Sequence, residues 1–385
     1  MAVQLNGKLN LYKVIIITTQ CFYPNIGGIE ALMTGMATAM HKSGNDVLVV
    51  ADGKKDESDI IKTYNIKRFN GWKPIRRIKK AEYISQLCKT NNIEAIYADS
   101  WKSIEYLKSI DVPIFVLAHG TEIQKNISSV NFYKKFKQKR IFSSFKKSTK
   151  IVANSNYTKE LIKESLKINA NKINIIHPGI DIYEKFIQHH TILKIKNIIN
   201  SSHPVILTLA RLELRKGHKL ILDALSRLMD KYPNLLYIIA GDGPSKKEIK
   251  QYARELQISD NIRFLGWITE PEKSVLLKST NLFIMTPHLD KQSVEGFGMS
   301  FIDAAFHGLA TIGTDSGGIP DAIIDGKTGL IARTSDIENI TAKMDELLSD
   351  PKKRITLGKA GQKNALEKFQ WKNKVKEYLD LIKIN

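Results

Sequence analysis

The sequence predicts an α/β fold made of two Rossmann-like, doubly wound domains that face a cleft. Its 385 residues exceed what one ordinary core accommodates and suit two domains. Short apolar runs alternate with amphipathic helical patterns along both halves of the chain. Such alternation leads to parallel sheets with right-handed crossovers, and ligands of such sheets bind at the carboxyl ends of the strands.

The front half contains six apolar runs that predict strands, at residues 14–18, 47–51, 95–98, 114–117, 151–153 and 173–176. Leu32, Met36 and Met40 follow the first run at intervals of four residues and predict one face of a helix that ends by Gly44. These elements predict an N-terminal Rossmann-like domain over residues 1–183.

The rear half repeats the pattern, with strands predicted at residues 205–210, 235–240, 262–265, 282–285, 310–313 and 329–332. The intervening helical patterns predict a C-terminal Rossmann-like domain over residues 203–369. Residues 184–202 are polar and lack a comparable period, so we expect a linker there. A last amphipathic segment, residues 370–385, predicts a terminal helix.

Composition places the chain among ordinary globular proteins. Hydrophobic residues make up 43% of the sequence, and no stretch of about 18 apolar residues exists to span a bilayer. The two cysteines, Cys21 and Cys88, have no CxxC spacing, so we expect a soluble protein of the reducing cytoplasm. The net charge of +20 indicates either attraction of anions or simply solvated lysine-rich faces.

The positive charge is concentrated in residues 131–150, which hold eight basic residues and no acidic one. Aromatic and aliphatic residues recur there at helical spacing, which predicts a basic amphipathic helix. Lys134, Lys135, Lys139 and Arg140 are candidates to face an anionic membrane at the inner surface of the cell. A core helix with a solvated lysine face explains the pattern equally well.

Glycines and cations stand where predicted strands end. Gly27 and Gly28 precede the first helix, whose N-terminal amides and dipole attract anions. In the rear half, Arg211 follows the strand at 205–210, and Lys216 precedes the next helix. Two fixed cations beside a helix N-terminus suit a diphosphate. Gly243 belongs to a tight turn after the following strand.

Acids and a histidine occupy other strand ends. Glu295 and Asp303 lie before and inside a predicted helix, and carboxylates accept hydrogen bonds from paired sugar hydroxyls. Gly298 lets the chain enter that helix with amides exposed. His119 closes the strand at 114–117, where it is placed to bind a hydroxyl or balance charge as a bond breaks.

Taken together, these motifs resemble glycosyltransferase family 4, the retaining nucleotide-sugar transferases with two Rossmann domains, termed the GT-B fold. The ordered match runs from Gly27 to Gly329. Residues 295–329 and 119–122 look most like the bacterial phosphatidylinositol mannosyltransferase branch. The resemblance implies an acceptor-binding first domain, a donor-binding second domain, and a last helix that crosses back onto the first domain.

The resemblance also implies roles for single residues. Arg211 and Lys216 would bind the donor diphosphate, Glu295 would hold hydroxyls of the transferred sugar, and His119 would lie beside the reacting carbon. Further donor contacts would come from Gly27, Gly28, Gly243, Ile268, Phe297, Gly298 and Met299, mostly through backbone amides. The ribose contact falls on Asp303, where the family usually has glutamate.

As to substrates, the resemblance implies a GDP- or UDP-sugar donor, mannose or glucose as the hexose, and a lipid-linked or glycan acceptor of bacterial envelope synthesis, such as lipopolysaccharide. It implies no metal ion or other cofactor, and the sequence lacks a DxD triplet. Competing hypotheses are a sugar-nucleotide isomerase or a phosphorylase on the same scaffold, or a non-catalytic protein that binds anionic membranes. Nucleic acid is not favoured, because no zinc finger or RNA-reading aromatic motif is present.

Overall fold

The structure is a computed structural model that describes residues 13–123, 132–181, 186–290 and 293–384, with residues 132–134 described by their backbone alone. Contacts divide the chain into two compact units. Unit 1 comprises Met1–Asn154, Thr158–Gly179 and Trp371–Asn385, and unit 2 comprises Ser155–Tyr157 and Ile180–Gln370. Each unit has its own parallel sheet.

The sheet of unit 1 has seven parallel strands in the order β3-β2-β1-β4-β5-β6-β7. They are β1 Val14–Thr19, β2 Asp46–Asp52, β3 Asn65–Phe69, β4 Ile93–Ala98, β5 Ile114–Ala118, β6 Lys150–Ala153 and β7 Ile173–Ile175. The helices between them are α1 Gly28–Lys42, α2 Lys73–Thr90, α3 Trp101–Ile104, α4 Phe132–Lys147 and α5 Asn156–Leu166. One core packs α1 against the sheet, and the opposite core packs α2, α3, α4 and α5.

The sheet of unit 2 has six parallel strands in the order β10-β9-β8-β11-β12-β13. They are β8 Val205–Leu209, β9 Leu236–Ala240, β10 Ile262–Gly266, β11 Leu282–Ile284, β12 Ala310–Thr314 and β13 Leu330–Ala332. Its helices are α6 His189–Ile199, α7 His218–Ser226, α8 Lys246–Glu255, α9 Glu270–Ser279, α10 Met299–Phe306, α11 Ile319–Ala322, α12 Ile337–Ser349 and α13 Pro351–Lys368. Apolar cores cover both faces of this sheet as well.

These sheets confirm the predicted fold class of two doubly wound α/β units, and every predicted strand corresponds to an observed one. The predicted linker, residues 184–202, differs because it contains helix α6. Ile195 is buried in the core of unit 2, and Lys194 pairs with Glu272 of α9. Ile192, Ile195 and Ile199 form an apolar stripe at helical spacing, which explains why this segment packs against unit 2. Among the described residues, none of the helices combines the length and apolar character that crossing a bilayer demands.

The last helix, α14 Trp371–Lys383, belongs to unit 1. Trp371, Val375 and Tyr378 are buried in the same core as α1. The Tyr97 hydroxyl donates a hydrogen bond to the Tyr378 carbonyl oxygen at 2.5 Å. The indole ring of Trp371 lies directly against two glycines, Gly35 and Gly179. Helix α14 is therefore an integral layer of unit 1.

The close approach of Trp371 to Gly35 predicts a stability effect. A Cβ atom on Gly35 would lie 2.1 Å from Trp371 Nε1, so Gly35→Ala forces the rigid indole ring to move. We expect the free energy of unfolding to fall by about 1–3 kcal/mol, the usual cost of overpacking a core. Urea unfolding followed by tryptophan fluorescence measures it, with Lys42→Ala, at an exposed position of the same helix, as the control. An unchanged midpoint for Gly35→Ala would contradict the packing described here.

Candidate active site

The loop after β8 is held against the end of β11 by a glycine. Gly217 has φ +77° and precedes α7. A Cβ atom there would lie 1.9 Å from the Thr286 carbonyl oxygen, so only glycine fits. The Thr286 hydroxyl donates to the Gly217 carbonyl oxygen at 2.9 Å. This contact fixes the position of the neighbouring Lys216 at the carboxyl edge of the sheet.

Five charged side chains of alternating sign form one connected cluster at this edge. Lys216 Nζ donates a hydrogen bond to Glu295 Oε2, and Arg215 Nη1 lies 3.3 Å from the same oxygen. Glu213 Oε2 accepts from Arg215 Nε at 2.9 Å, while Glu213 Oε1 lies 3.4 Å from Arg211 Nη1. The structure therefore brings the three predicted residues Arg211, Lys216 and Glu295 together through two that sequence reasoning missed, Glu213 and Arg215.

Electrostatics keep Glu295 ionised. Burial raises the pKa of Glu295, but the charges and hydrogen bonds of Lys216 and Arg215 outweigh burial and hold the pKa below its ordinary value. Glu295 is thus a hydrogen-bond acceptor at neutral pH. The Arg211 side chain, by contrast, is 63% exposed and is available to a ligand in solvent.

Two glycine turns hold the backbone around Glu295. Gly298 has φ +91° and is the residue before α10, so the first amides of that helix follow Glu295 closely in the chain. In the loop after β12, the Gly318 amide donates to the Glu295 carbonyl oxygen at 2.9 Å. A Cβ atom on Gly318 would lie 2.0 Å from the Gly296 carbonyl oxygen. Both loops are therefore packed backbone to backbone, which preorganises the Glu295 carboxylate.

The other predicted donor contacts of unit 2 lie at the same edge or in the core beneath it. Gly243 packs on the loop after β8, since a Cβ atom there would lie 2.4 Å from the Leu212 carbonyl oxygen. The side chains of Phe297, Met299 and Ile268 pack into the core, which leaves the backbone of these residues as their polar contribution.

Asp303 is engaged by a lysine that sequence reasoning did not identify. Asp303 Oδ1 lies 3.5 Å from Lys273 Nζ, and Lys273 also pairs with Glu270 Oε2 at 2.8 Å. Burial raises the pKa of Asp303 above its ordinary value, although the charge of Lys273 opposes the shift. The contact from Asp303 to a ribose stays a prediction, and Lys273 joins it as a neighbour.

In unit 1, Gly27 and Gly28 stand at the start of α1. The Glu30 carboxylate folds back towards this turn, because a Cβ atom on Gly27 would lie 2.2 Å from Glu30 Oε2. An acid at a helix N-terminus complements the helix dipole. Any other residue at position 27 would therefore require the Glu30 side chain to move.

His119 follows β5 and is fixed by the strand beside it. His119 Nε2 lies 2.9 Å from the Asp99 carbonyl oxygen, and the His119 amide donates to Glu122 Oε1 at 2.8 Å. Because a carbonyl oxygen only accepts, Nε2 carries the proton in this contact. The Asp99 carboxylate is buried and accepts from Thr19 Oγ1 at 3.0 Å and from the Gln20 amide at 2.7 Å. His119 is therefore held rigidly at the carboxyl edge of the sheet.

The four residues predicted to face a membrane differ in their exposure and contacts. Lys135 and Lys139 are exposed on α4, and a membrane contact through them stays a prediction. Arg140 differs from the prediction, because its guanidinium pairs with Glu105 and lies 5.6 Å from the ring of Trp101, which draws it towards α3. The side chain of Lys134 lies outside the described residues.

Comparison with known proteins identifies the family. Residues 26–184 match the model described as Glycosyltransferase Family 4, and residues 190–364 match the model described as Glycosyl transferases group 1. The chain belongs to glycosyltransferase family 4. This confirms the family that the motifs predicted, and the two matches divide the chain close to the boundary between its two sheets.

Among curated relatives of this family 4 chain, a GDP-mannose-dependent alpha-(1-6)-phosphatidylinositol monomannoside mannosyltransferase of Mycolicibacterium smegmatis is 29% identical over 181 residues. That match covers 46% of this chain and 47% of the relative, so the chain spans about half the length of such relatives. The alpha-1,3/1,6-mannosyltransferase ALG2 of Dictyostelium discoideum is 23% identical, over 90% of this chain and 93% of its own.

A solved structure of Anabaena HepE, in complex with UDP and glucose, matches 97% of this family 4 chain and 100% of its own with a TM-score of 0.77. The sequence identity is 17%, so this likeness concerns the fold. It confirms the predicted GT-B class, since both units are covered by one match.

Proposed function

We propose that this chain is a retaining hexosyltransferase that moves mannose or glucose from a nucleoside diphosphate sugar to a lipid-linked or glycan acceptor. The observation that carries the proposal is the cluster in unit 2, where Lys216 and Arg215 pair with the half-buried carboxylate of Glu295 and Arg211 joins them through Glu213. Family membership supports a transferase rather than an isomerase on the same scaffold.

The cationic side of the cluster suits a diphosphate leaving group. Lys216 lies at the N-terminal side of α7, and Arg211 extends into solvent from the same loop. Fixed cations beside a helix N-terminus stabilise the charge that develops on a departing phosphate. Such groups perform the electrostatic work that a metal ion performs elsewhere, so we propose a metal-independent reaction.

The acidic side of the cluster suits the sugar. One oxygen of Glu295 is occupied by Lys216 and Arg215, and an ionised carboxylate has acceptor capacity left for hydroxyls of a hexose. The bond between the anomeric carbon and the donor phosphate breaks, with its electron pair left on the phosphate. The acceptor hydroxyl oxygen bonds to the anomeric carbon on the same face, and its proton passes to the departing phosphate. We assign His119 to the sugar at this step.

Several relatives support GDP-mannose as the donor. The Mycolicibacterium smegmatis relative is GDP-mannose-dependent and acts on a phosphatidylinositol mannoside, which supports a lipid-linked acceptor in synthesis of the bacterial envelope. The Anabaena structure contains UDP, so UDP-linked sugars are the second candidate for the donor.

Preference for one nucleotide predicts a difference in thermal stability. A ligand that binds only the folded state stabilises it by about 2.7 kcal/mol at a hundred times its Kd. We expect GDP to raise the melting temperature more than UDP or ADP at equal concentration, as measured by a thermal-shift screen. A larger shift with UDP would reassign the donor base, and no shift with any nucleotide would contradict the proposed donor site.

A further inference from the structure

Helix α2 has an unusual distribution of side chains. Trp72, at its N-terminal cap, is 72% exposed, and Ile75 and Ile78 are exposed at 49% and 40%. Lys80 of the same helix is buried at 1%. A surface helix of a globular protein normally turns its apolar residues towards the core and its lysines towards solvent. The first two turns of α2 depart from this pattern, because Ile75 and Ile78 are exposed while Lys80 is buried.

Buried ion pairs fix this orientation of α2. Lys80 Nζ donates to Asp52 Oδ1 at 3.0 Å and to the Thr19 carbonyl oxygen at 2.7 Å. Arg76 Nη2 lies 2.7 Å from Asp52 Oδ2. Rotating the helix to bury Ile75 would leave the Asp52 carboxylate buried without its partners, which costs several kcal/mol. The outward apolar side of α2 is therefore imposed by the structure.

Helix α4 presents a similar side. Phe136 and Phe142 are exposed at 56% and 41%, and Lys135 and Lys139 are exposed beside them. Helices α2 and α4 each follow the carboxyl end of a parallel strand, and both pack into the same core of unit 1. They consequently start at the same edge and lie on the same side of the sheet. We use the name α2–α4 face for the exposed side chains among residues 72–79, at the start of α2, and among residues 135–142 of α4.

An acid buried between the two helices links them. Glu105, which follows α3, pairs with Arg77 of α2 at 3.5 Å and with Arg140 of α4. These two arginines form ion pairs within unit 1, whereas Lys73 and Lys79 are exposed on α2. Residues 72–81 include no acidic residue, and the first acid along α2 is the exposed Glu82, one turn beyond Ile78. The α2–α4 face thus combines isolated apolar side chains with a net positive charge.

We propose that the α2–α4 face binds the surface of an anionic lipid bilayer. Tryptophan, phenylalanine and isoleucine enter the boundary between headgroups and acyl chains, and flanking lysines are attracted by anionic headgroups. The charge complementarity between Lys73, Lys79, Lys135 and Lys139 and acidic lipids favours a bilayer as the partner. This inference does not depend on the proposed transferase activity, and it places the predicted membrane contact on two helices instead of α4 alone.

Co-sedimentation with vesicles tests the lysines. We expect the full chain to bind vesicles of phosphatidylcholine with phosphatidylglycerol and not vesicles of phosphatidylcholine alone. The double variant K73A/K79A is expected to bind about thirtyfold more weakly, since each lysine near an anionic surface contributes about a factor of five. The control is Lys359→Ala, at an exposed position of α13 in unit 2, which should bind like the wild type.

The apolar side chains are tested by Ile75→Gln with Ile78→Gln, matched by Ile355→Gln at an exposed position of α13. We expect the first pair to weaken binding at least tenfold and the control to leave it unchanged. Trp72 adds an optical signal. Its emission should shift to shorter wavelength on anionic vesicles, the shift should vanish in Trp72→Phe, and it should persist in Trp267→Phe, which removes the other exposed tryptophan.

Three results would overturn the proposal: no binding to anionic vesicles, equal binding to neutral ones, or wild-type binding by both the lysine and the isoleucine variants. All substituted side chains are exposed, so loss of folding does not explain a loss of binding. The measurements use no sugar nucleotide, so their failure is separate from a failure of the proposed transfer reaction.

Discussion

Lys216→Ala is expected to lower kcat/KM for the sugar donor by about a thousandfold. Lys216 is the cation held closest to Glu295, and its position is fixed by the contact of Gly217 with Thr286. Removing one preorganised group that stabilises developing charge costs about a hundred- to a thousandfold in rate. Initial rates of nucleotide release, measured over a range of donor concentrations, give the change in both kcat and KM.

A second variant tests the charge of the Glu295 carboxylate without changing the size of the side chain. Glu295→Gln keeps the size of the side chain but leaves Lys216 and Arg215 beside a neutral group, and we expect a loss of about a hundredfold. The matched control is Lys231→Ala, which breaks a surface ion pair with Asp345 in the same unit and should retain full activity. Wild-type rates in both Lys216→Ala and Glu295→Gln, with circular dichroism unchanged, would remove the cluster from the reaction.

His119→Ala is expected to lower kcat by about a hundred- to a thousandfold, while the KM for the donor changes little. The prediction follows from the rigid placement of the imidazole by the Asp99 carbonyl oxygen, since removing one preorganised polar group beside the charge that develops on a reacting sugar costs at least about a hundredfold in rate. Steady-state kinetics give kcat and KM, and nucleotide binding in a thermal-shift assay shows that unit 2 is intact.

Two further variants sharpen the histidine test. His119→Asn keeps a hydrogen-bond donor towards the Asp99 carbonyl oxygen and should recover part of the lost rate. His189→Ala changes an exposed histidine at the start of α6 and should be silent. A raised KM with unchanged kcat in His119→Ala would show that the residue binds substrate without acting on the chemical step.

The fold was largely predictable because buried parallel strands are continuous apolar runs. Strand β3 and helix α2 escaped prediction for physical reasons. Strand β3 is an edge strand whose sequence, Asn65–Phe69, has only two apolar residues, Ile66 and Phe69, and no fully buried position. In the first two turns of α2 the buried residue is Lys80 and the exposed residues include Ile75, so the hydrophobic pattern does not predict which side of the helix is buried. Only the position of Asp52 at the end of β2 explains that inversion.

The candidate site was partly predictable for a related reason. Arg211, Lys216 and Glu295 all follow strands of one parallel sheet, and carboxyl ends of parallel strands share an edge. Arg215 and Lys273 could not be recognised, because a lysine or arginine in so basic a chain carries no signal until its partner is known. Lys273 meets Asp303 across thirty residues of sequence, which a local pattern does not encode.

The most direct test of the transfer reaction is product analysis by NMR after incubation with GDP-mannose, UDP-glucose and other donors, each with and without a lipid extract as acceptor. We predict that one donor is consumed only when acceptor is present, that one nucleoside diphosphate is released per sugar, and that the product keeps the anomeric configuration of the donor. Conversion of a donor without acceptor, or an inverted product, would contradict the proposed function.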